Sequence, residues 1–146
     1  MDIQTLLSPL ESQILIVKDY LGNAYLPEWD FNGIGDLEIE QAYLVKSSSE
    51  CFLNLQGIYS YPELHPLELV EGWNQFSYLR IEDEADLVSI FAPIIDQVVI
   101  VKDEFGMAYL PEWGFNGIPS LQAGKGYQIK CNAALSLFYL ANIHSY

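Results

Sequence analysis

Hydrophobic and polar positions along this chain change period several times, and the changes come in a fixed order that occurs twice. Residues 97–102, Gln-Val-Val-Ile-Val-Lys, form an apolar run too short for a stable helix, and its Val and Ile suit the pleated surface of a buried strand. Asp103-Glu104-Phe105-Gly106 follows, with a polar first residue and a glycine where a tight turn needs positive φ. This predicts a hairpin with a return strand over 107–110, ended by Pro111, which has no N–H to give to a ladder. Phe115-Asn116-Gly117-Ile118 then carries the Asn-Gly pair that favours a primed turn. Residues 126–130 and 135–140 predict two further strands.

The same order stands earlier in the chain. Residues 14–46 align with 98–130 at a constant offset of 84 without a gap, and 18 of the 33 positions are identical. The shared text is Ile16-Val17-Lys18-Asp19, Gly22, Ala24-Tyr25-Leu26-Pro27-Glu28-Trp29, Phe31-Asn32-Gly33-Ile34, Leu37, Tyr43 and Lys46. Chance does not produce such a match, so the chain is a tandem repeat. Upstream, residues 3–9 lie over 87–93, and each copy opens with a short apolar helical turn, capped by Asp2 or Asp86 and limited by Pro9 or Pro93. Downstream, 51–61 match 136–146 once a single extra residue is allowed.

Residues 62–86 are not duplicated. They contain Gly72-Trp73-Asn74-Gln75-Phe76-Ser77-Tyr78-Leu79-Arg80, whose alternation predicts a strand that opens the second copy. The first copy has no such strand; it does without, belongs to a longer array, or takes a strand from another chain by edge addition. The expected fold is mainly β with short helices: two tandem copies of a small antiparallel sheet or partly open barrel of about five strands, each opened by one short helix. Pro62 and Pro66 place the boundary within 61–71, giving a first module over 1–61 and a second over 62–146.

Composition narrows the partners. Ten Tyr, seven Phe and three Trp stand against six Lys and Arg, and the formal net charge is −14. Such a surface repels phosphates and an anionic bilayer, and counterion release, which drives nucleic-acid binding, needs cations that are scarce here. Nucleic acid is therefore not an expected partner. No run is long and apolar enough to cross a bilayer, so membrane insertion is not expected either. Residues 1–10 carry Asp2 and no positively charged segment, so no signal peptide is expected. Cys51 and Cys131 lack cysteine counterparts in the other copy and are expected as half-buried thiols.

Taken together, the Gly-Trp-Asn strand at 72–74, the Val-Lys-Asp hairpins at 17–19 and 101–103, the Tyr-Leu-Pro-Glu-Trp-X-Phe-Asn-Gly-Ile segments at 25–34 and 109–118, and Gly126-Tyr127-Gln128-Ile129-Lys130 resemble a known β repeat. It is similar to modules of secreted and cell-surface proteins of Bacteroidetes-type bacteria, and of virion structural proteins of marine phages, notably those infecting cyanobacteria. The likeness covers 72–131 and 14–46. It implies a scaffold or attachment role and brings no catalytic residues. Two positions depart from it: the Gly-Trp-Asn strand is missing before the first copy, and Ala42 stands where the second has Gly126. Without a signal peptide, a virion protein released by lysis is expected over a secreted one.

The candidate ligand-binding residues are Tyr25, Trp29, Tyr109 and Trp113, because aromatic faces stack on sugar rings. Repeats also duplicate their cores, and the whole aromatic set, with Phe31, Phe115, Tyr43 and Tyr127, suits packing as well; Trp29 and Trp113, between a proline and a loop, are the pair expected at the surface. Asp19 and Asp103 are expected to accept backbone N–H groups in their turns. A calcium site is not expected, since Asp30, Asp36, Glu38 and Glu40 have no acidic counterparts. The two histidines, His65 and His144, fall in dissimilar contexts without a catalytic motif, and Glu28 and Glu112 are equivalent copies rather than an acid and base pair. Glu82, Asp83, Glu84 and Asp86 are expected at a solvated helix entry. No catalytic residue, metal or cofactor is expected.

The function expected is that of a non-enzymatic structural or adhesive module of a virion tail, fibre or capsid-decorating protein. Its partners would be subunits of the same assembly and host-surface glycan, with a homo-oligomer through an open strand edge. The alternative is a carbohydrate-binding or adhesion module of a bacterial surface protein.

Overall fold

The computed structural model describes residues 1–143; the last three residues of the downstream match, His144 among them, lie outside them. The first module runs α1 (Ile3–Leu7), β1 (Ile14–Lys18), β2 (Ala24–Leu26), β3 (Phe31–Asn32) and β4 (Leu44–Ser47). Then come β5 (Leu67–Leu69) and β6 (Gly72–Ser77), and the second module repeats the order with α2 (Leu87–Phe91), β7 (Val98–Lys102), β8 (Ala108–Leu110), β9 (Phe115–Asn116), β10 (Gly126–Cys131) and β11 (Leu135–Leu137). Every sheet is antiparallel. The first has order β3-β2-β1-β4, the second β6-β10-β7-β8-β9, and β11 pairs with β5 by itself. The protein is thus mainly β with two short helices, and no sheet closes into a barrel.

The repeat holds in three dimensions down to register. Val17 opposes Tyr25 as Val101 opposes Tyr109, and Val17 opposes Val45 as Val101 opposes Ile129. Each long pair slips register at the same place, after Ile14 in one copy and at Cys131 in the other. Both helices are capped as their sequences predict: Asp2 accepts from the Thr5 N–H and Asp86 from the Ser89 N–H. In the hairpins, Asp19 accepts from the N–H groups of Leu21 and Asn23, and Asp103 from those of Phe105 and Met107. Gly22 and Gly106 take the positive φ these turns need, +85° and +81°.

The Asn-Gly pairs do something other than expected. Neither Asn32-Gly33 nor Asn116-Gly117 has positive φ, so no primed turn forms. Instead Asn32 accepts from the N–H groups of Ile34 and Gly35, and Asn116 from that of Ile118, in Asx turns. The glycines are needed for close approach: a Cβ on Gly33 would lie 3.0 Å from the Ala24 carbonyl oxygen.

One expectation about strands holds and another changes. The first module's sheet has four strands, lacking the Gly-Trp-Asn strand as its sequence predicts: no described residue extends it beyond β4 in the way that β6 extends the second beyond β10. The boundary segment is not irregular throughout, since β5 lies within it, between Pro66 and the turn into β6. Three residues alternating once carry too little period to be read as a strand, and it is the ladder to Leu135, Ser136 and Leu137 that fixes them.

Each module has its own core. Ile3, Leu7, Ile14, Val17 and Tyr25 form the first, and their counterparts Leu87, Phe91, Val98, Val101 and Tyr109 lie in the second. The second is larger because β5 and β6 add Leu67, Leu69 and Phe76, followed by Tyr78. Leu53 packs on the first core and Leu137 in the second, so the offset of 84 continues past Cys51 and any extra residue falls later. The modules meet where Phe76 forms a single bridge with Gln41 and the Ser77 N–H donates to the Glu40 carbonyl, 3.0 Å.

Candidate functional site: an open strand edge and paired surface aromatics

The duplicated aromatics divide sharply. Tyr25 and Tyr109 lie in the middle of three-residue strands and point inward opposite Val17 and Val101, so both are buried in the cores. They offer no ring to a ligand. Trp29 and Trp113 end short 3-10 turns begun by Pro27 and Pro111, and the next residue, Asp30 or Gly114, is left-handed. The chain turns away there and leaves the indoles 75 % and 77 % exposed. Phe31 and Phe115 are about half exposed, each ring lying against the glycine two residues on. Tyr43 and Tyr127 hold the loops that precede them, accepting from the N–H groups of Glu38 and Gln122, and burial pushes both phenols up.

The second surface feature is the outer edge of β4. All four of its residues are exposed, including Leu44 and Val45, although β1 pairs with its inner edge. Its counterpart β10 has β6 along the whole of that outer edge, in register from Gly126–Ser77 to Cys131–Gly72. Val45 is 55 % exposed where Ile129 is 0 %. Beside it, a cleft of about 340 Å³ opens between Leu7, Val17, Leu37, Val45, Leu53 and the loop at Gly124–Gly126.

Several polar groups have structural partners. Lys102 and Lys130 stand 5.4 and 5.9 Å from the centre of the Trp73 ring, a cation–π clamp on the outside of β6. Glu82 contacts the buried Arg80 at 3.5 Å, and Arg80 also donates to the Ala141 carbonyl, so the acidic run 82–86 is partly built into the fold and not merely a solvated helix entry. Hydrogen bonds from the Ser89 hydroxyl and N–H hold the Asp86 carboxyl below the usual range. Asp30 accepts from Gln4, and Asp36 lies 3.8 Å from the amino terminus. Glu28 and Glu112 sit on equivalent turns of separate modules. Among the described residues no three His, Cys, Asp or Glu side chains converge as metal ligands. Both cysteines are free; Cys51 is half-buried and Cys131 buried, which raises its thiol. No helix among the described residues is long and apolar enough to cross a membrane.

One constellation has no trace in the motifs. His65 bonds Ser60 Oγ through Nε2 at 2.5 Å and Glu40 Oε1 through Nδ1 at 2.8 Å. This fits an imidazole protonated at Nδ1 that donates to Glu40 and accepts the serine hydroxyl. Serine, base and carboxylate do not by themselves make acyl transfer, which also needs donors aimed at the developing oxyanion. Ser60 stands in irregular chain just before the Pro62–Leu64 turn, not on a strand-to-helix elbow. What the three side chains do in the fold is tie the segment between the modules to the first module. Only the nearness of Ser60 and His65 in sequence could have signalled it; Glu40 arrives from 25 residues away.

No protein-family model, curated protein or solved structure was found to match this chain.

Proposed function

We propose that this chain is a non-enzymatic structural and adhesive β-repeat module of a larger surface assembly. The observation that carries the reading is the contrast between β4 and β10. The same strand is sealed in one repeat and presented in the other, with its backbone groups and apolar side chains at the surface. An unpaired edge of this kind is a template for joining another chain. The setting, a phage virion or a bacterial surface protein, rests on the resemblance of the repeat text, which covers both, and the location is accordingly a virion or an extracellular surface.

The test uses lysate from the source organism, fractionated by size. The wild-type chain should travel with particles far larger than itself, and Val45→Asp should release it to the size of the free chain. A wild-type chain found only free would overturn the proposal.

A second reading, carbohydrate binding, is favoured by one specific observation: the two symmetry-related indoles are exposed. Stacking on a sugar ring needs an accessible ring of this kind. On a glycan array, Trp29→Ala and Trp113→Ala should each remove binding while the thermal midpoint stays put; an array that wild-type protein leaves blank sinks this alternative.

A further inference from the structure

The second module displays what is missing from the first. Its 67–77 segment is one strand–turn–strand piece: β5 seals β11, β6 seals β10, and the corner between them is held by Asn74, which accepts from the Val70 N–H and donates to the carbonyls of Val70 and Gly72. From this piece Leu67, Leu69 and Phe76 enter the core, where Phe76 packs edge-on against Phe91 and stacks on Tyr127. The counterparts of Phe91 and Tyr127 are Leu7 and Tyr43, and both line the cleft of the first module. So do Val17, Leu37, Val45 and Leu53, the counterparts of Val101, Leu121, Ile129 and Leu137, all of which are buried around the inserted segment. The cleft therefore has the lining of a site whose filled form is visible 84 residues along the same chain.

We infer that the first module is an acceptor for an extended segment of another polypeptide with the chemistry of residues 67–77: alternating aliphatic residues, a Gly-aromatic-Asn corner, and a Phe that enters the cleft. One strand of it would continue the sheet along β4, and the other would lie beside Cys51 and Leu53. Lys18 and Lys46 occupy the positions of Lys102 and Lys130, so an aromatic ring at the corner would meet the same pair of cations. The end of the slot is set by the chain's own β6, since the bridge from Phe76 to Gln41 leaves the ladder free only from Tyr43 onward. A second copy of this chain is not the donor: each copy has two acceptor modules and one such segment, already used within its own second module.

The inference rests on the reading that the chain joins a larger assembly, and it is tested apart from it. A synthetic peptide of residues 66–77 is added to the intact chain, and amide exchange is followed residue by residue. One peptide should bind per chain, slowing exchange at Val45, Ser47 and Leu53 while Ile129 and Cys131 keep the protection they had. Phe76→Ser in the peptide should weaken binding on the order of tenfold or more, as loss of a buried aromatic anchor does, without touching the protein's own fold. Val45→Asp in the protein, an exposed position, should do the same. Three results each overturn the inference: no added protection at 45–53, protection that moves only at 129–131 as the peptide displaces the native segment, or self-association of the chain alone that Val45→Asp abolishes. If the peptide fails and the chain still travels with large particles, the acceptor falls and the assembly role stands.

Discussion

The Cβ of Ala42 rests against the bare α-carbon of Gly126, so that a methyl group added to Gly126 would lie 2.6 Å from it. These two residues occupy the same position in the two repeats. The difference between them, a departure from the repeat pattern in sequence, is the fit of one copy against the other. Gly126→Ala should cost roughly 1–3 kcal/mol, the usual range for overpacking a rigid contact. Ala42→Gly should recover much of that loss in the double variant although it stabilises nothing alone, and a thermal-unfolding double-mutant cycle measures the coupling. Additive effects would show that the modules do not touch there.

Gly33 and Gly117 give a graded comparison. An added Cβ would stand 3.0 Å from a backbone carbonyl oxygen and 3.1 Å from the Phe31 ring at Gly33, but 3.3 and 3.4 Å from the equivalent atoms at Gly117. Since neither glycine has positive φ, the effect is steric and not conformational. Gly33→Ala should lower the denaturation midpoint clearly and Gly117→Ala less, with a difference of about 1 kcal/mol. Equal losses would mean that the two Asx turns relax alike.

The repeat text carried most of the fold. Hairpin turns, helix caps and the long strands follow from local chemistry that the chain writes twice, at Asp19 and Asp103 or at Asp2 and Asp86. Surfaces were harder to read. Tyr25 and Trp29 are both duplicated aromatics on a Pro-bounded segment, and only strand register, with Tyr25 opposite Val17, sends one inward while the 3-10 turn sends the other out. The open edge of β4 was legible as a missing strand, but the lined cleft beside it was not, because the alignment of Leu53 with Leu137 depends on burial. The cluster around His65 was invisible because it has no second copy and its carboxylate is remote.

His65 supplies a test of whether that cluster is a tie or a site. As a tie, its loss frees the segment before β5: His65→Ala should lower stability by about 1 kcal/mol, the net worth of an ordinary hydrogen-bond pair, and speed amide exchange at 58–65. Ser60→Ala should have a smaller effect in the same direction. A fluorophosphonate ester should leave Ser60 unmodified. Labelling of Ser60 that disappears in His65→Ala would identify an activated nucleophile and remove the non-enzymatic reading.

Two buried tyrosines should make the second module sensitive to alkali. Tyr78 donates to the Glu82 carbonyl at 2.8 Å, Tyr139 donates to the Ser77 carbonyl, and the rings meet edge to face. Burial is the main cause that pushes the Tyr78 phenol up to about 12, and Tyr139 is raised in the same way. A phenol whose folded pKa lies above its unfolded value of 10 keeps its proton longer when folded, so the unfolded chain binds fewer protons once the pH exceeds 10. The associated stability is complete below pH 10 and is lost as the pH climbs toward 12. Denaturant midpoints should thus fall between pH 10 and 12 in the wild type. Tyr78→Phe, which cannot ionise, should be less stable at pH 8 for want of its hydrogen bond, yet decline less steeply above pH 10. Tyrosinate absorbance should rise first from exposed phenols and last with unfolding. A Tyr78→Phe variant that loses stability with the same alkaline slope as the wild type would show that this buried pair is not what alkali attacks.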